Sequence, residues 1–191
     1  MSSVFLSASV PVAGRGDYHR TADPFLIQTA VREFVLAVIR NHQIVWGGHP
    51  AITPMIWRIC EDLGVEYARA VILYQSRFFE EAFPEENANF RNVVYVDAVR
   101  DDRDASLYTM RQAMLSREDL RAAVFIGGMD GVEREYELFR QHHANRKVIF
   151  VPAPGGAARV LAERIDGLRG SNLADVDFAG LYETELLPAL R

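Results

Sequence analysis

With a single cysteine, the chain has no disulfide framework to lean on. Cys60 lies between Ile59 and Leu63 in a helical pattern, where a buried core thiol is the expected role. Long apolar runs are missing too, since no segment approaches the ~18 residues that a membrane helix needs. The opening "MSSVFLSASV" carries no basic leader and its apolar run is too short for a secretory signal, so the expectation is a cytoplasmic protein with no membrane partner. Positive charge is scarce, with 21 Lys+Arg against 26 Asp+Glu and a net charge of -5. That balance argues against nucleic acid as a partner, because such binding rests on basic patches that displace counterions. A small anion held by a few arginines and backbone amides remains compatible with it.

Familiar signatures are absent as well. The first strand-to-helix turn lacks G-x-G-x-x-G, and no G-x-x-x-x-G-K-[ST] loop occurs, which argues against ordinary NAD dehydrogenases and P-loop NTPases. No G-x-S-x-G elbow supports a serine nucleophile. His142–His143 and the "RDDRD" run at 100–104 read as solvated surface, and no cluster has metal-ligand spacing, so neither metal nor cofactor is expected.

What the chain does have is an alternation of apolar β-rich runs and amphipathic helices across 191 residues, 49% of them hydrophobic. Strands are expected at Val4–Ala8, Gln43–Trp46, Ala70–Tyr74, Val93–Val96, Ala122–Ile126 and Lys147–Val151. Several are apolar throughout, as strands covered on both faces are. Asp23 and Pro24 should open a first helix, and Thr53–Pro54 a second that stops at Gly64. Further helices are expected over Ser106–Ser116, after Asp130, and over about Gly156–Leu168. The order predicts an α/β fold: a Rossmann-like, doubly wound, mainly parallel sheet with helices on both faces. Residues 1–169 form the expected ligand-binding domain. The tail, 170–191, keeps Phe178, Leu181, Tyr182 and Leu186 and should dock on the domain or on a second subunit.

Ligands of such sheets bind beyond the carboxyl ends of the strands. Those positions hold Ser7, Ser9, Arg15, Tyr18 and His19 after the first strand, and Gly47, Gly48 and His49 after the second. Ser76 and Arg77 follow the third strand, while Gly127, Gly128 and Met129 follow the fifth. Two glycine pairs on one edge point to backbone that a ligand approaches closely. Arg15 or Arg77 would meet phosphate. Asp130 and Glu133 have the spacing of a capping box, and Glu137 reads as solvated. Glu135 instead shares a helical face with Val132, Leu138 and Phe139, so it needs a partner, either a ligand or a nearby arginine.

"VFLSASVP", "VWGGHPAITPMI" and "IGGMDGVEREYELF" together resemble the SLOG superfamily, over roughly residues 3 to 152. That Rossmann-like group includes the LOG phosphoribohydrolases, the DNA-processing A proteins and TRPM-channel N-terminal domains. The likeness is closest to the branch associated with Sir2 and TIR domains, found as the sensor of Thoeris anti-phage effectors. The resemblance implies a homo-oligomeric sensor, a dimer or larger. Its ligand would be an NAD-derived signalling nucleotide of the cyclic ADP-ribose type or another nucleotide. Its output would be a separate or fused Sir2-like or TIR effector. The LOG enzymes carry P-G-G-x-G-T-x-x-E, and Glu135 stands at the matching distance after Gly131. Ile126 replaces the proline, Val132 replaces the threonine, and one extra residue separates the glycines. The alternative is a LOG-like nucleotide N-glycosidase or NAD-type glycosidase using Glu135. Loss of the threonine hydroxyl favours recognition without hydrolysis.

Overall fold

A computed structural model describes residues 2–191, so the first residue of the expected domain lies outside it. Six parallel strands form one sheet in the order β4-β3-β2-β1-β5-β6. They are β1 (Ser3–Ser9), β2 (Gln43–Trp46), β3 (Val71–Ser76), β4 (Asn92–Val96), β5 (Leu120–Gly127) and β6 (Lys147–Val151). The chain winds outward from β1 to β4, then returns to lay β5 against the other side of β1. The winding therefore reverses between β1 and β5, where the register pairs Ser7 with Phe125 and Ser9 with Gly127.

Five helices of ten or more residues cover the two faces: α1 (Pro24–Val38), α2 (Thr53–Leu63), α3 (Arg103–Leu115), α4 (Asp130–His142) and α5 (Gly156–Ile165). Side chains alternate along a strand, and the two halves of the core follow from that. Val4, Leu6 and Ala8 pack with α1 and α2, whereas Phe5 packs with α3, α4 and α5. Both faces being covered explains why the central strands carry almost no alternating polar residues.

Local chemistry sets the helix starts. The Asp23 carboxylate accepts from the Phe25 and Leu26 amides at 2.9 and 3.1 Å, with Pro24 at the first helical position. The third helix starts three residues earlier than its apolar pattern suggests. Asp102, in a run expected to be mere solvated surface, accepts from the Ala105 amide at 2.9 Å and caps it. His143 also departs from that reading. It is half-buried against Phe139, and its Nε2 lies 2.8 Å from the Leu115 carbonyl.

The tail folds back as α6 (Phe178–Leu181), a π turn through Leu186 and a 3-10 turn through Leu190. Phe178, Tyr182, Leu186 and Leu190 join the α1/α2 side of the core. The Tyr182 hydroxyl donates to the Ala30 carbonyl at 3.1 Å, and its ring meets Phe34 edge-on. These apolar side chains are buried within the chain itself. No helix among the described residues is long and apolar enough to cross a membrane.

Candidate functional site

A cleft of about 330 Å³ opens at the carboxyl ends of β1, β2 and β3, beside the β1/β5 reversal. Its walls come from the strand ends, from the segment linking β3 to β4, and from α3 and α4. Its volume lies at the small end of the range typical of ligand sites.

Ser7 and Glu135 meet here because of two periodicities. Ser7 follows Phe5 by two along β1, so it faces α4, and Glu135 lies one helical turn beyond Val132 on the face that α4 presents to the sheet. The Ser7 hydroxyl donates to Glu135 Oε2 at 2.5 Å, and Arg111 Nε donates to Oε1 at 3.0 Å. Both partners of the ion pair are largely enclosed, with side chains 11% and 16% exposed for Arg111 and Glu135. The inward carboxylate thus has the neighbouring arginine that burial requires, and it still lines the cleft. Arg111 is the residue that sequence reading missed. It adjoins Met110 on α3, at the edge of the apolar stripe formed by Leu107, Met110 and Met114, where an arginine ordinarily reaches for water.

Of the three other acids of this helix, Glu137 is exposed and the remaining two are occupied by partners. Glu133 does not complete a capping box, because α4 has no side-chain cap and Asp130 is already its first residue. Instead Glu133 accepts from the Tyr18 hydroxyl at 2.7 Å and pairs with Arg164 at 3.1 Å. Burial, and then the neighbouring Glu133 carboxylate, push the Tyr18 phenol up to about 12. Asp130 pairs with Arg15 at 3.2 Å and with Arg134 at 3.5 Å. The amides of Asp130 and Gly131 donate to nothing among the described residues, and the helix end they mark, with Met129, Gly131 and Val132, lines the cleft.

The charge balance at the cleft is the reverse of the chain's. Arg15, Arg103 and Arg111 line it against the one carboxylate of Glu135, on a chain of net charge -5. Arg15 and Arg103 are held only by exposed pairs, with Asp130 and Asp104. Pairs of that kind contribute about 0–1 kcal/mol, so both guanidiniums are free to turn to an anion.

His49 lines the same cleft, and its place is set by Thr53, whose hydroxyl accepts from the His49 amide at 3.0 Å and the Trp46 indole at 3.3 Å. His49 Nδ1 accepts from the Ala51 amide at 3.2 Å, which leaves the ring proton on Nε2. Burial and then the Arg15 charge lower its pKa, so the ring is neutral at pH 7.

Of the residues singled out from sequence, Ser7, Ser9, Arg15, Gly47, Gly48, His49, Ser76, Met129 and Glu135 line this one cleft. Arg77 does not. It pairs with Glu80 at 2.6 Å and Asp97 at 3.5 Å and lies against the Tyr95 ring. Gly127 and Gly128 do not line it either. Both are buried, and chain approaches chain there. A Cβ on Gly127 would lie 2.8 Å from the Ser9 carbonyl oxygen, and one on Gly128 2.1 Å from Val132 Cγ2. The Gly128 amide donates to Ser9 O at 2.8 Å, and its carbonyl accepts from the Ala157 amide at 2.9 Å, which stitches the ends of β1 and β5 to the start of α5. The aromatic end of the cleft, Phe79 in the 3-10 turn after β3 and Phe83 just beyond it, had no periodic signal to reveal it.

Comparison with known proteins fits this geometry. The sequence model of the SLOG cluster3 family matches residues 17–186. No curated protein matches the chain. Among solved structures, the X-ray structure of TM1055 is similar in fold, with a TM-score of 0.56 over 97% of this chain and 100% of that one at 14% identity.

Proposed function

The chain belongs to the SLOG cluster3 family, and from that premise we propose that its cleft binds a nucleotide-derived small molecule, acting as a sensor. The observation that carries this reading is the cationic lining of the cleft. Three arginines face one carboxylate where an uncapped helix end opens, in a chain that is otherwise acidic. Phosphate suits the α4 end, where free amides, the helix dipole and Arg15 converge. Glu135, next to it, accepts from ribose hydroxyls. The ligand class is an NAD-derived signalling nucleotide of the ADP-ribose type, and the setting is bacterial anti-phage defence.

Recognition is favoured over hydrolysis by the state of Glu135. Both of its oxygens already accept hydrogen bonds, from Ser7 and from Arg111, and Val132 offers no hydroxyl to hold a water. An N-glycosidase is the second reading, favoured by a carboxylate and a guanidinium facing the same cleft.

The test is a thermal-shift panel of AMP, ADP-ribose, NAD, cyclic ADP-ribose isomers and cyclic dinucleotides, followed by chromatography of long incubations. A cognate ligand at a hundred times its Kd adds ~2.7 kcal/mol, a rise of roughly 5–10 °C for a chain of this size. Intact ligand supports the sensor, and release of base or nicotinamide that disappears in Glu135→Gln establishes the glycosidase. An unchanged midpoint with every nucleotide refutes both.

A further inference from the structure

Gln75 is the last residue but one of β3, in a position wasteful for a polar side chain. It is only 8% exposed, in a strand otherwise apolar up to Tyr74. Its Nε2 donates to the Gly47 carbonyl at 3.2 Å, and its Oε1 accepts from nothing among the described residues. The orientation of the amide is settled by chemistry, since a flipped amide would set oxygen against oxygen at Gly47. Gly48 is what lets it lie there, because a Cβ at that residue would collide with Gln75 Nε2. The second glycine of "WGGHP" therefore makes room for a side chain that lines the cleft. The amide oxygen has no donor among the described residues and opens to the cleft, so the cleft is the side from which a donor can come.

We propose that Gln75 reads the base of the bound nucleotide and selects adenine. The inference rests on the nucleotide reading above and specifies the ligand within it. Neighbouring strands lie about 4.8 Å apart, so β3 stands roughly 10 Å from β1. With phosphate at the α4 end and ribose beside Glu135 over β1, the base reaches β3. Phe79, Phe83 and Met110 wall that end and give a purine apolar faces to rest on. There Gln75 Oε1 accepts from the exocyclic amine, and the remaining N–H donates to the adjacent ring nitrogen, the pairing by which glutamine recognises adenine edges elsewhere. Hypoxanthine sets its carbonyl oxygen against Oε1, and on the N1 edge it also sets a ring N–H against the amide N–H. Leaving buried polar groups unpaired is the strongest form of rejection a site can build.

The experiment is calorimetric titration of the whole chain with AMP, IMP and CMP, and with ADP-ribose and its hypoxanthine counterpart, in wild type and Gln75→Met. Methionine keeps the length of the side chain while removing both polar groups. Wild type is expected to bind each adenine compound at least ~10-fold more tightly than its hypoxanthine partner, and AMP more tightly than CMP. Gln75→Met is expected to bind both purines with a ratio within ~2-fold. Equal wild-type affinities, a preference for CMP, or a preference retained by Gln75→Met each overturn the assignment and leave the nucleotide reading standing. If Gln75→Met does not fold, the wild-type ratios decide alone. Failure of every nucleotide to bind wild type overturns the nucleotide reading and this assignment with it.

Discussion

The ion pair between Arg111 and Glu135 makes the most direct energetic test of the site. Its 3.0 Å contact joins side chains that are 11% and 16% exposed, and Ser7 adds a second hydrogen bond to the carboxylate at 2.5 Å. Breaking a fully buried pair from one side costs about 3–5 kcal/mol, mostly because the survivor is left enclosed and uncompensated. This pair borders an open cleft, so water can reach the survivor, and about 2–3 kcal/mol is the better expectation for Arg111→Met or Glu135→Gln alone. Removing both charges leaves no orphan. The double variant should therefore lose less than the sum of the singles, with a coupling of about 1.5–2.5 kcal/mol, within the range for contacting residues. In a chain of this length each kcal/mol moves the midpoint by about 2–4 °C, so the singles should fall by roughly 4–12 °C. Urea titrations of all four proteins at constant m-value provide the measurement. Singles that add to within ~0.5 kcal/mol would refute the pairing, and with it the claim that Arg111 holds Glu135 in place.

Two further outcomes test how the cleft is built. Gly128→Ala should lose about 2–4 kcal/mol, since φ is +80° there and the new Cβ meets Val132, whose branched side chain has no alternative rotamer within the helix. Gly14→Ala, with φ +87° and nothing within 4 Å, carries backbone strain alone and should lose only about 1 kcal/mol. Equal losses in urea would show that packing at Gly128 is misassigned. For His49 the folded pKa lies below the usual value, through burial first and Arg15 second, so folding favours the neutral ring. Its stabilisation is present above the unfolded pKa of about 6.5 and is lost as pH falls through the folded value. The stability of wild type relative to His49→Gln should accordingly decline between about pH 7 and pH 5, and a flat difference would count against a neutral, enclosed imidazole.

Much of the architecture was legible because it depends on local pattern. Strands buried on both faces announce themselves as short apolar runs, and the Asp23–Pro24 start needs no tertiary information. Glu135 was legible for the same reason, since three- and four-residue spacing puts it on the face of Val132, Leu138 and Phe139. Arg111 was not, because an arginine at the margin of an apolar stripe has the same sequence signature whether it reaches for water or for a carboxylate twenty-four residues on. Asp102 was hidden among competing acids, any of which could have capped α3. Phe79 and Phe83 were hidden by irregular turns that have no period.

The glycines mark the limit most clearly. A glycine in sequence records that something occupies the place of a Cβ, without saying what. At Gly127 and Gly128 the occupant is the chain itself, the Ser9 carbonyl and the Val132 side chain, so the pair fixes how β1 and β5 end beside one another. At Gly48 and Gly131 the occupants are Gln75 and Arg111, two side chains that line the cleft. The same residue type thus serves the scaffold in one place and the recognition groups in another. Backbone yielding to a ligand was the natural expectation for both glycine pairs. The contacts replace it at Gly127 and Gly128, while Gly47 and Gly48 still line the cleft beside Gln75, Arg111 and Glu135.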